Sequence, residues 1–212
     1  MLGFSYGEMV SDKQARFIIL KKVKYGEADL IVHALGTDGA KTAFMARSAL
    51  RSKKRFGGGI LEPLHYVNFS YKDNGSSSIK VLNEAQLIDD FKEIRSDYTK
   101  LELALFIINC VSHVSLEGDS NSDFLFNLTG HSLRAVARTG SARTLKLHFC
   151  LKFLYQQGVI SIEPWMLPFL KVNISESETL PAPEVHQLTD QYLDSIESLV
   201  YQYIKTADAG YV

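Results

Sequence analysis

Asp29-Leu30-Ile31-Val32-His33-Ala34-Leu35-Gly36-Thr37-Asp38-Gly39-Ala40-Lys41-Thr42-Ala43-Phe44-Met45-Ala46 reads as strand, turn and strand. The segment from Asp29 to Leu35 is rich in Ile and Val, side chains that pack well on a pleated surface. Asp38-Gly39 is a strong hairpin turn, because both residues tolerate positive φ. A further strand follows from Lys41 to Ala46. Working upstream, Phe17-Ile18-Ile19-Leu20 lies inside Ala15–Lys24 and predicts a buried strand, separated from Asp29 by the turn Tyr25-Gly26-Glu27. Downstream, Leu61–Tyr71 alternates in part and predicts a strand, Lys72–Ser78 is a turn cluster, and Ile79–Leu87 predicts another strand. Five or six short strands within the first 90 residues imply a small β-barrel, and an OB-type barrel is the expected form.

Between the third and fourth of these strands the chain becomes cationic. Arg47, Arg51, Lys53, Lys54 and Arg55 precede Gly57-Gly58-Gly59, with Lys41 on the adjoining strand, and no Asp or Glu occurs between Asp38 and Glu62. Cations without local counter-ions suit a polyanion surface. An exposed loop is therefore expected over Arg47–Gly59. The whole chain carries a net charge of -1, but residues 1–80 hold 13 Lys/Arg against 7 Asp/Glu, whereas residues 81–212 hold 10 against 17. Such asymmetry points to nucleic-acid contact through the front half.

Beyond residue 90 the apolar period becomes helical. Helices are expected over Lys100–Ser115, with Asp97 or Thr99 as cap, over Asp123–Arg138, and over Ala142–Gln157, closed by Gly158. Trp165–Leu170 is a short apolar piece. The acidic Ser175–Pro183, with two prolines, predicts a linker. A last helix is expected over Glu184–Lys205, with Leu188, Tyr192, Ile196, Leu199 and Tyr203 as its apolar stripe. The expected organisation is α+β: a barrel domain over residues 1–90 and an all-helical domain over residues 91–212.

The 212 residues include two cysteines, Cys110 and Cys150, both inside apolar segments. They predict buried thiols in a reducing compartment. Met1–Gln14 has no signal-peptide pattern and no apolar run is long enough for a bilayer, so a cytoplasmic location is expected. No phosphate-binding loop, nucleophile elbow or histidine–metal motif is present, and Asp89-Asp90 lack a third ligand. Neither enzyme chemistry nor a cofactor is expected.

Tyr25-Gly26-Glu27-Ala28-Asp29-Leu30-Ile31-Val32, then Thr37-Asp38-Gly39-Ala40-Lys41, the basic Ala46–Arg55 and Leu61-Glu62-Pro63-Leu64, in that order, resemble the bacterial recombination mediator family RecO. Glu84-Ala85 and Leu151–Val159 extend the likeness. The resemblance implies an OB domain followed by helices, binding to single- and double-stranded DNA, and annealing of complementary strands. It also implies contact with RecR and with the C-terminal tail of single-strand-binding protein, and help in loading the recombinase RecA. The four-cysteine zinc module common in that family has no counterpart here, since two distant cysteines cannot supply two Cys-x-x-Cys pairs.

The expected DNA-binding residues are Lys41, Arg47, Arg51, Lys53, Lys54 and Arg55, with Phe56 as a base-stacking ring. Phe44, on a strand, is more simply a core residue. Arg134, Arg138, Arg143 and Lys146 form a second basic group at helical spacing. With the resemblance, they become candidates to hold the acidic tail of single-strand-binding protein. Two other readings fit the same residues: a general OB module for RNA or single-stranded DNA, and a protein-interaction scaffold whose basic loop only solubilises it.

Overall fold

The computed structural model describes residues 11–73, 77–116 and 123–209. Most of the expected N-terminal lead-in and the middle of the Lys72–Ser78 turn lie outside the described residues. Two compact units are present, one built from the chain up to Asp90 together with Leu116, the other from Phe91–Ser115 and from Asp123 onward.

The first unit contains β1 (Ser11–Tyr25), β2 (Asp29–Gly36), β3 (Lys41–Ala46), β4 (Tyr66–Asp73) and β5 (Ile79–Asp89). They close into a barrel in the order β1-β2-β3-β5-β4. All neighbours are antiparallel except β3 and β5, which run parallel through Ala43–Ile79, Phe44–Lys80 and Met45–Val81. This is an OB-type barrel. β1 is longer than its apolar run predicts because it serves both sides. Its first half pairs with β4 and its second with β2, the register shifting between Ile19 and Lys21. At the β2–β3 turn, Gly39 takes φ 83°, and the Asp38 carboxylate accepts the Ala40 N–H at 3.1 Å.

Inward-facing residues alternate along the strands, as a half-buried sheet requires. Phe17, Phe44, Phe69 and Tyr71 meet at the centre with ring centroids 5.0 to 6.0 Å apart, mostly edge to face. Phe44 is therefore a core residue. β4 begins later than the alternation over Leu61–Tyr71 predicts. Leu64 adopts φ 77°, its N–H donates to the Ile19 carbonyl at 2.9 Å, and the Ile19 N–H donates to His65.

The second unit is helical: α1 (Lys92–Arg95), α2 (Tyr98–Val114), α3 (Asp123–Arg138), α4 (Ala142–Gln156), α5 (Leu167–Lys171) and α6 (Ala182–Ala209). Asp97 caps α2, its carboxylate accepting the N–H groups of Thr99 and Lys100. Gly158, at φ 69°, ends α4. α4 is buried nearly all round, from Thr144 through Leu154, so it is the central helix.

Two expectations for this unit are corrected. The acidic Ser175–Pro183 segment does not behave as a linker. A 3-10 helix occupies Ile174–Thr179, Asn173 caps it, and Ile174 and Leu180 anchor it in the core on either side. The seam of α6 is rotated relative to the expected stripe: Val185, Thr189, Leu193, Ile196, Val200 and Ile204 are buried, while Leu188, Tyr192, Leu199 and Tyr203 flank them at partial exposure.

Candidate nucleic-acid interface

The connection between β3 and β4 carries five of the six expected cations, and it is fastened rather than loose. The Asp29 carboxylate accepts the Ser48 N–H at 2.7 Å, which holds Ser48 at φ 54°. The Leu50 N–H donates to the Ala28 carbonyl, and the Ser52 N–H to Ala49. Between these polar ties, Ala49, Phe56 and Leu61 enter the barrel core. Apolar residues at intervals thus pin the connection down and turn the intervening cations outward.

Arg47, Arg51, Lys53, Lys54 and Arg55 are all exposed, while Lys41 on β3 is half-buried. Arg51 pairs with Glu27 at 3.3 Å, but the two side chains are 73% and 90% exposed. Such a pair contributes about 0–1 kcal/mol and yields readily to a phosphate. Arg55 donates to the Arg47 carbonyl at 3.0 Å and sits 5.0 Å from the centroid of the Phe56 ring. Lys53 and Lys54 make no side-chain hydrogen bond or ion pair among the described residues.

Phe56 departs from its expected role. It is 5% exposed and belongs to the core, so it cannot offer an open ring face to a base on the surface. Tyr25, at the end of β1 beside the turn that ties down the basic connection, carries an open ring, 55% exposed. Its place next to Gly26 reads as turn chemistry, and the open ring has no separate signal in the sequence.

A cavity of about 320 Å³ is lined by Lys22 of β1, Leu30 of β2 and residues of the connection from Ala49 to Glu62, Gly57–Gly59 among them. Lys22 pairs with Glu62 at its wall. Gly58 and Gly59 both take φ 70°, a conformation that glycine reaches without strain.

In the helical unit the second basic group does not act as one cluster. Lys146 is bound to Glu197 at 2.5 Å, each only about a fifth exposed (22% and 21%), and lies 4.5 Å from the Phe106 ring. Arg143 pairs with Asp190 at 3.5 Å. Arg143 and Lys146 line a 150 Å³ cavity together with Glu102, Asp194 and Glu197, so carboxylates already offset their charge. Arg134 and Arg138 are exposed on α3 and do not line that cavity.

Cys110, Cys150 and His148 lie in the core of the helical unit. Burial pushes the Cys110 thiol up to about 12 and that of Cys150 well above its ordinary value. Both are free and buried, hence poor nucleophiles. His148 is fully buried, one ring nitrogen 3.1 Å from the Ser177 hydroxyl and the other 3.3 Å from the Val172 carbonyl. Burial, with Lys152 nearby, lowers it to about 4. Among the described residues no group of three or more His, Cys, Asp or Glu could hold a metal. No described helix is long and apolar enough to cross a membrane.

A closed OB-type barrel bearing a fastened cationic connection belongs to the class of oligonucleotide-binding folds. Residues 9–91 match the family described as recombination protein O N terminal. The likeness continues into the helical unit. The chain is 34% identical over 144 residues to DNA repair protein RecO of Maridesulfovibrio salexigens, covering 68% of this chain and 57% of the relative. It is 30% identical over 147 residues to the protein of the same name in Shouchella clausii, covering 69% and 56%. For Syntrophus aciditrophicus the values are 29% over 140 residues, covering 66% and 53%. The chain thus spans somewhat over half the length of these relatives.

Proposed function

We propose that this chain is a DNA-binding, strand-annealing mediator of recombinational repair that assists recombinase loading on protein-coated single strands. The observation that carries this reading is the basic connection of the barrel. Its cations are exposed, weakly paired and held in place by Asp29 and by three buried apolar anchors. The name that the relatives share, DNA repair protein RecO, supports a DNA context for that surface.

Binding is electrostatic and independent of sequence. Arg47, Arg51, Lys53, Lys54 and Arg55 neutralise successive phosphates and release condensed counter-ions, and Lys41 adds charge from β3. Annealing follows from the same physics. Two complementary backbones repel each other less when one cationic surface screens both, so base pairing can begin. No catalytic step is assigned to any residue.

RecR and the acidic tail of single-strand-binding protein are the partners we propose, on family grounds. For the tail, exposed Arg134 and Arg138 are better placed than Arg143 and Lys146, which already face carboxylates. A protein in the cytoplasm, at the nucleoid, fits this role.

The test is annealing of complementary strands, bare or coated with single-strand-binding protein, across a salt series. Annealing that weakens with salt and is impaired in the Arg51→Ala/Lys54→Ala double variant supports the reading. Equal rates in the variant across all salt concentrations would remove the basic connection from the mechanism. Tighter binding to RNA than to DNA in a competition would favour an RNA module instead.

A further inference from the structure

The 320 Å³ cavity lined in part by the basic connection differs in character from the exposed cations outside it. Its apolar lining comes from Leu30, Ala49, Leu50, Leu61 and the small accessible part of Phe56. Its polar groups are Ser52, Glu62 and two cations, Lys22 and Lys53. A phosphate suits this interior less well than it suits the cations outside, because the Glu62 carboxylate and five apolar side chains line it beside Lys22 and Lys53. A flat, partly apolar ring with N–H groups on its edge is well suited.

We propose that this cavity seats one unpaired nucleobase of a bound single strand, splayed out of its stack, while Lys53 holds an adjacent phosphate at the rim. The inference rests on the DNA-binding reading above and adds to it a contact with a base.

The chemistry matches part by part. A carboxylate offers about four lone-pair sites, and the Lys22 ammonium occupies one side of Glu62. The others accept N–H groups from a base edge. The Ser52 oxygen accepts the Arg55 N–H at 3.2 Å, which leaves its hydroxyl proton to donate to a ring nitrogen or carbonyl. Lys53 is exposed and makes no ion pair among the described residues, so it can meet the backbone that must run along the rim. A base in a duplex cannot enter such a recess without unpairing. The cavity therefore favours single strands, whereas the cations outside it serve both forms.

The experiment compares a mixed-sequence single strand with a strand of equal length built from abasic sugars, which keeps every phosphate. Fluorescence anisotropy is expected to show at least about fivefold weaker binding of the abasic strand. Gly57 lines the cavity, and a Cβ placed there meets nothing within 4 Å. Gly57→Leu is expected to shrink the ratio between the two strands, while Lys53→Ala weakens both strands alike. A strand carrying a photoreactive pyrimidine gives a second readout that needs no variant, with crosslinks expected at Lys22, Leu30 or within Ala49–Glu62. Equal affinity for the two strands, an unchanged ratio in folded Gly57→Leu, or crosslinks confined elsewhere would each overturn the base pocket and leave the electrostatic reading intact. Binding of neither strand would overturn both.

Discussion

The Asp29 carboxylate accepts the Ser48 backbone N–H at 2.7 Å, joining the start of β2 to the start of the cationic connection. Asp29 is thus an acidic residue inside a basic region whose task is to fix the position of its cationic neighbours. Replacing it by Ala removes the acceptor and leaves Ser48 without support for its positive φ. The expected cost is about 1 kcal/mol in chemical denaturation, accompanied by weaker binding of single-stranded DNA. Asp29→Asn keeps an acceptor oxygen and is expected to retain most of both. Stronger DNA binding in Asp29→Ala, as expected if only net charge mattered, would contradict this role.

Phe56, expected to stack on bases, lies in the barrel core, whereas Tyr25, expected in a turn, carries an exposed ring. Phe56→Ala opens a void in the barrel core and is expected to cost about 3–5 kcal/mol of stability. Tyr25→Ala is expected to change stability by less than about 0.5 kcal/mol while weakening single-strand binding. Equilibrium unfolding and anisotropy titrations on the two variants separate these effects.

Salt dependence reports how many phosphates the protein neutralises. For a single strand, each phosphate that goes without its cation lowers the slope of log affinity against log salt by about 0.7. Arg51→Ala/Lys54→Ala is therefore expected to flatten that slope by about one unit or somewhat more. A lower affinity with an unchanged slope would mean that these residues act through the fold instead.

His148 makes the helical unit sensitive to acid. Its pKa lies near 4 in the folded protein, against an ordinary value of 6.5, chiefly because burial disfavours the charged ring. The unfolded chain therefore takes up a proton at pH values where the folded chain does not. This contribution is fully present above about pH 6.5 and is lost as pH falls towards 4, on the order of 3 kcal/mol in all. His148→Gln is expected to flatten stability across that window. An unchanged pH profile would show that another group controls it.

The fold is largely legible where local chemistry and long-range packing agree. β2, β3 and their turn follow from Asp29–Ala46 because alternation, β-branching and Asp38-Gly39 all favour one register. Asp97 and Gly158 mark helix ends by the same agreement. Phe56 is illegible for a physical reason. Its neighbours, four cations and three glycines, describe a solvated loop, and only the barrel interior that receives the ring reverses this. The 174–180 segment misleads in the same way, since its acidic residues and flanking prolines outnumber the two anchors, Ile174 and Leu180, that pin it. α1 has too few residues to show a period. The charges of Arg143 and Lys146 are visible, but the carboxylates that meet them come from α2 and α6, far away in sequence.

The ties at Asp29 and Ala28, with the anchors at Ala49, Phe56 and Leu61, also bear on the thermodynamics of association. A tethered polybasic tail must surrender chain entropy each time it settles on a ligand. Here the backbone carrying the countercharges is ordered during folding. Complex formation then draws mainly on ion release and side-chain adjustment, with little heat-capacity change from the protein.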